Sequence, residues 1–213
     1  MTSPGFRRGR PGGARHSSSE GAEGFLSSSL FSQAQILHLM KNEFARARRH
    51  GIPVGCLLLQ VDRLAQLVGL HGAELRSEVR LGIARLVREK TRGSDLLGAN
   101  NDDRYLLLLP HTNLVQSRIV ADRLLQLFDS LDIAVDGRPL ALTMSIGLTS
   151  CEDQTTLFFD SLLAQAEAAL DHAARSGGSQ VMSFGEMQLR AGAADPRSSP
   201  RRRSTDAAGE SQS

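Results

Sequence analysis

The chain has 213 residues, a formal net charge of +2 and 40% hydrophobic residues, enough apolar material for one packed domain with tails. So even a balance excludes a field that would drive the whole protein onto nucleic acid or a membrane surface, and zero tryptophans and a single tyrosine exclude an aromatic platform for single-stranded nucleic acid. Two cysteines, Cys56 and Cys151, are too few for a disulfide framework; Cys56 sits in an apolar run and reads as a buried, reduced thiol.

Residues 1–29 are rich in Gly, Ser and Arg, have little to bury and read as a disordered tail. They carry Arg7, Arg8 and Arg10 with no apolar stretch behind them, which argues against a secretory leader and for a cytoplasmic protein. The folded part is expected over 30–187. Ile36, Leu39, Met40, Phe44 and Ala47 recur at helical spacing and predict an amphipathic helix over 30–50, stopped by Gly51 and Pro53. Residues 54–61 read as a buried strand, 65–70 as a short helix, and 73–90 as a long helix with Leu75, Val79, Ile83, Leu86 and Val87 inward. Leu96 and Leu97, a run of turn formers from Gly98 to Asp103, and the apolar run Tyr105 to Leu109 closed by Pro110 predict a hairpin.

A helix over 114–128 is expected to bury Leu114, Val120, Leu124, Leu127 and Phe128. Residues 133–135 and 140–148 predict a second hairpin through Asp136-Gly137. A helix over 157–175, capped by Gly177 and Gly178, leads to a last strand at 180–184. Residues 188–213, with Arg201, Arg202 and Arg203 in a row, return to the composition of the first tail and are expected to be disordered. No apolar run is long enough to cross a bilayer, and the six histidines show no ligand spacing, so neither a membrane span nor a metal site is assigned. Hairpins alternating with helices predict an α+β fold.

Five motifs fall in one order over 30–184. They are Glu43-Phe44-Ala45-Arg46-Ala47-Arg48-Arg49, Leu57-Leu58-Leu59-Gln60-Val61-Asp62, Leu108-Leu109-Pro110-His111-Thr112, Thr143-Met144-Ser145-Ile146-Gly147, and the Leu162 to Leu170 helix. In this order the chain resembles a GGDEF domain, the diguanylate cyclase family. The resemblance implies a central, mostly antiparallel five-stranded sheet flanked by helices, with a ferredoxin-like palm. Its signature hairpin tip falls on Asn101, Asp102, Asp103, Arg104 and Tyr105.

The family's cyclase reaction joins two GTP molecules with the help of divalent metals, which need hard oxygen ligands. By resemblance the first metal aspartate falls on Gln60, a neutral amide, and the fourth signature residue on the cation Arg104. The two signature glycines fall on Asn101 and Asp102, the guanine readers on Val68 and Ser77, and the late phosphate-binding Lys and Arg on Ala174 and Gly178. Of the opening L-T-G-L-x-N-R segment mainly Leu30 survives, with Ser32 and Gln33 at polar positions. Losing metal ligand, base reader and phosphate clamp together implies an inactive enzyme with no catalytic residue and no cofactor. Asp62, Asp102 and Asp103 read as a polar hairpin tip or as a weak metal site.

What the resemblance keeps is an R-x-x-D string, Arg92 to Asp95, ending five residues ahead of the signature. In the family this string forms an inhibitory site for cyclic di-GMP. The string alone is weak, since it recurs at Arg203 and Asp206; its offset from the hairpin supplies the specificity. The family's accompanying arginine, thirteen residues after the strand-ending proline, falls on Arg123. A guanidinium fork matches guanine O6 and N7, a carboxylate accepts from the base's N–H groups, and cations offset two phosphodiesters. Without a ligand, Arg92 would be a favourable helix C-terminal charge and Asp95 its surface partner. The expected function is that of a cyclic di-GMP receptor, with ligand-binding Arg92, Asp95 and Arg123. It would signal through an unidentified protein partner and form a ligand-promoted homodimer, with no nucleic acid bound. The alternatives are a ligand-independent scaffold with a vestigial site, and a residual diguanylate cyclase.

Overall fold

The structure, a computed structural model, describes residues 30–101, 103–152 and 158–193. The tails at 1–29 and 194–213, Asp102 and Leu157 lie outside the described residues. The first helix, α1 (Gln33–His50), begins later than the hydrophobic pattern predicts. Ser32 caps it, accepting from the Gln35 amide while the Gln35 side chain accepts from the Ser32 amide, a reciprocal pair that sets the boundary. Phe31 is extended instead and bridges to Gly98 in parallel.

The next elements are β1 (Val54–Val61), α2 (Leu64–His71), α3 (Glu74–Lys90), β2 (Leu96–Ala99), β3 (Arg104–Pro110) and α4 (Leu114–Phe128). Then come β4 (Ala134–Val135), β5 (Arg138–Pro139), β6 (Met144–Cys151), α5 (Phe159–Arg175), β7 (Val181–Ser183) and α6 (Phe184–Ala193). Five strands form the main sheet in the order β2-β3-β1-β6-β7; β4 and β5 make a separate ribbon. Every pair in the main sheet is antiparallel except β6–β7. The α+β reading and the five-stranded, mostly antiparallel sheet are what the structure shows.

Both faces of this sheet are covered, which is why β1 and β3 read as continuous apolar runs rather than alternating ones. Leu57, Leu59, Val61, Leu107 and Leu109 face the core shared with α3 and α4. Val54, Cys56, Leu58, Leu106 and Leu108 face the core shared with α1 and α5. Burial, followed by the charge of Glu167, pushes the Cys56 thiol up to about 12, so it stays protonated and inert.

Three readings change. The second predicted hairpin is real only through its Asp136-Gly137 turn, where both residues have positive φ and Val135 pairs with Arg138. Its return strand ends at Pro139, and β6 starts afresh at Met144, because β6 bonds to β1 and β7 rather than to β4. In α4 the buried stripe is Ser117, Ala121, Leu124 and Phe128; Val120 and Leu127 are half-buried and Leu114 is exposed. Small residues lie underneath because the helix comes so close to β1 that a Cβ on Gly55 would overlap the Ser117 hydroxyl. Finally, the stretch expected to begin a tail at 188 is part of α6, and Phe184 opens that helix rather than closing a strand. Phe184 and Met187 pack on Ala169, Ala173 and Met182, and the Glu186 carboxylate takes the Ser183 amide and is gripped by Arg118 Nη1 of α4 at 2.8 Å.

Gly147, the last residue of the Thr143 to Gly147 motif, lies under α5, where a Cβ would overlap the Ala166 carbonyl oxygen and the Leu170 amide. Both are helix backbone and cannot swing aside. Gly147→Ala is therefore expected to destabilise the fold by about 3 kcal/mol, at the upper end for overpacking. Gly69→Ala, on α2 with nothing within 4 Å, is expected to stabilise by roughly 0.5–1 kcal/mol. Urea unfolding midpoints of the two variants check both.

Candidate functional site

The hairpin β2–β3 has its tip and its base at opposite ends of the sheet, and the two ends differ in chemistry. At the tip, Arg104 donates through Nε to Gln60 Oε1 at 3.0 Å and pairs through Nη2 with Asp171 Oδ1 at 2.6 Å. Asp103, in left-handed backbone with φ 59°, pairs with Arg76 of α3 at 2.8 Å. Asp62 accepts three hydrogen bonds, from Thr143 Oγ1 at 2.8 Å, Ser145 Oγ at 2.7 Å and the Ser179 amide at 2.9 Å. Gly178 presses on the same carboxylate, since a Cβ there would come 2.7 Å from Asp62 Oδ2.

These donors do not fit a divalent cation. A guanidinium bridges Gln60 and Asp171, and each retained carboxylate already has its protein partners. Among the described residues no three His, Cys, Asp or Glu side chains group to hold a metal. Asn101 is exposed at the turn, Tyr105 is buried in the core, and Asp102 lies outside the described residues. Burial leads the causes that push the Tyr105 hydroxyl up to about 12.

The base of the hairpin is built differently. The residues Arg92 to Asp95 form a turn closed by two hydrogen bonds. The Asp95 amide donates to the Arg92 carbonyl at 3.0 Å, and the Arg92 amide donates to Asp95 Oδ2 at 2.8 Å. The R-x-x-D spacing thus has a local cause, an aspartate clamping the turn that feeds β2. One carboxylate oxygen is spent on this clamp; among the described residues the other, Oδ1, has only a long 3.5 Å contact from Ser94 Oγ.

Arg92, Asp95 and Arg123 line one cleft of about 410 Å³ between the C-terminal end of α3 and the flank of α4. Glu89, Lys90, Gln116, Ile119 and Val120 are also among its walls. The Arg123 guanidinium donates to the Lys90 carbonyl, one of the C-terminal carbonyls of α3. A smaller cleft of about 170 Å³, lined by Phe31, Val87 and Leu97, shares Arg92 and Asp95 with the larger one.

Residues 27–180 match the family described as "Diguanylate cyclase, GGDEF domain". The chain belongs to the GGDEF family. It is 26% identical over 148 residues to the diguanylate cyclase DgcP of Pseudomonas aeruginosa, a match covering 70% of this chain and 22% of that protein. The chain thus spans under a quarter of that relative's length. Among solved structures, the diguanylate cyclase SiaD of P. aeruginosa, determined in complex with its activator SiaC, is 29% identical with a TM-score of 0.67, covering 72% of this chain and 58% of that one. The GGDEF domain of DgcB from Caulobacter crescentus, determined in complex with c-di-GMP, has the same TM-score of 0.67 at 14% identity, covering 73% and 92% of the two chains. At that identity the likeness is one of fold.

The three expected ligand residues come together in this GGDEF domain although 28 residues separate Asp95 from Arg123. Sequence reasoning missed Asp171, the partner of Arg104, and the cleft residues Lys90, Gln116, Ile119 and Val120. Gln116 did carry a signal, since it stands three residues after Asn113 in a helix-start pattern. No described helix is long and apolar enough to cross a membrane.

Burial lifts the Asp95 carboxyl above its ordinary 3.8, outweighing the Arg92 amide, the Arg92 charge and the Ser94 hydroxyl, which all lower it. The folded state therefore binds the Asp95 proton more tightly than the unfolded state. This group's contribution to stability is complete below pH 3.8 and is lost as pH rises towards the raised folded value. In thermal melts across the acid range the stability of wild type relative to Asp95→Asn, whose amide oxygen still accepts from the Arg92 amide, is expected to decline as pH rises.

Proposed function

We propose that this chain is a catalytically inactive GGDEF domain that binds cyclic di-GMP through Arg92, Asp95 and Arg123 and passes the signal to a partner protein. The observation that carries this reading is that these three side chains line one open cleft. The chemistry of the walls agrees with the ligand. Arg92 offers a planar donor fork for guanine O6 and N7, and Asp95 Oδ1 is an acceptor for the base's N1–H and N2–H groups. Arg123 and Lys90 offset phosphodiester charge, and Ile119 and Val120 supply an apolar surface for a base plane. Inactivity is supported by the tip, where the amide Gln60 and the cation Arg104 replace hard oxygen ligands. A ligand with two like halves is expected to draw two copies of the domain together.

The second reading, a residual cyclase, is favoured by the relatives' names and by the retained Asp62 and Asp103. Two measurements decide between them. Cyclic di-GMP titrated by calorimetry is expected to give heat with wild type and at least a tenfold weaker affinity with Arg92→Ala, about 1.4 kcal/mol or more for a charge-assisted bidentate contact. Arg92→Ala keeps the backbone amide that closes the turn, so the fold survives the test. No heat with wild type, or equal affinity in the variant, sinks the receptor reading. Incubation with GTP and Mg²⁺ or Mn²⁺ is expected to give no product; turnover abolished by Asp103→Ala would overturn inactivity.

A further inference from the structure

We propose that Gln116 is a ligand-reading residue of the same cleft, donating its side-chain amide to a phosphodiester oxygen of the bound molecule. The inference rests on the cyclic dinucleotide reading above and adds to it a group on α4 that no motif assigns. Gln116 occupies the third position of α4, where its Oε1 accepts from the Asn113 amide at 3.1 Å and its own amide donates to Asn113 Oδ1 at 2.9 Å. This reciprocal cap fixes the side chain and commits its oxygen, so the NH₂ group is what remains for another partner. Among the described residues that nitrogen has no protein acceptor in hydrogen-bond range, although Gln116 lines the cleft.

The position repeats on the helix. Gln116, Ile119, Val120 and Arg123 lie at i, i+3, i+4 and i+7, one face of α4 directed at the Arg92–Asp95 turn. The stripe therefore reads donor, apolar pair, donor. A neutral donor held by a cap at one end and a guanidinium at the other suits an anionic oxygen at each end, with the base plane against the apolar pair.

Gln116→Glu separates this role from the fold. Glutamate serves the same capping position and suits the helix N-terminus, so α4 and the melting temperature are expected to hold. It replaces the cleft's donor by an anion. Val115→Glu places the same charge on the adjacent residue, which is exposed and does not line the cleft. In calorimetric titration with cyclic di-GMP, Gln116→Glu is expected to bind at least tenfold more weakly than wild type, while Val115→Glu stays within about twofold. Wild-type affinity in Gln116→Glu, with binding lost in Arg92→Ala, would overturn the role of Gln116 and leave the receptor reading standing. Equal losses in Gln116→Glu and Val115→Glu would also overturn it, as a general field effect. No binding by wild type would sink both.

Discussion

Helices cover both faces of this sheet, and that is possible only where the backbone leaves them room. The closest approaches meet at glycine: Gly55 under Ser117 of α4, Gly98 under Ile36 of α1, and Gly147 under the backbone of α5. With both faces shut, β1 and β3 have no solvent side, and their side chains divide between two apolar cores. Polar chemistry is thereby driven to the two ends of the sheet. The hairpin β2–β3 spans that distance, so its tip and its base become separate sites on one rigid element.

The two ends handle charge in opposite ways. At the tip Arg104 is matched by Gln60 and Asp171, Asp103 by Arg76, and Asp62 by two hydroxyls and an amide. A cation placed there would have to displace an arginine already held by two oxygens. At the base the charges are clustered along one cleft. Asp95 gives one oxygen to its own turn, and Arg123 donates to a backbone carbonyl. Lys90, Arg92 and Arg123 are brought together there beside Ile119 and Val120, with Glu89 and Asp95 as the carboxylates of the same cleft.

Much of the fold was legible because it depends on periodicity and punctuation. The inward face of α3, Leu75, Val79, Ile83, Leu86 and Val87, is buried as its spacing implies. The Asp136-Gly137 turn and the ends of α4 were readable from local chemistry as well. The errors share one cause. Hydrophobicity does not register a close approach of backbones, so Ser117 was passed over as polar while it sits buried against Gly55. Nor does it register which strand a segment will pair with, so 140–148 was read as one strand. Nor does it register contacts made far along the chain, and α6 is held by Phe184 and Met187 against Ala169 and Ala173 and by an ion pair to α4, 68 residues away.

The sequence by itself determined the α+β architecture, the order of its main elements and the presence of Gln60 on β1 and Arg104 at the hairpin. These are local facts: one residue type at one position in a recognisable run. Only the tertiary structure decided what these side chains meet. It put Asp171 against Arg104, set Arg123 beside the Arg92–Asp95 turn, and turned the capped side chain of Gln116 towards the same cleft. Such pairings join residues far apart in the chain. They are fixed by how α3, α4 and α5 pack on the sheet, and no spacing along the chain encodes that.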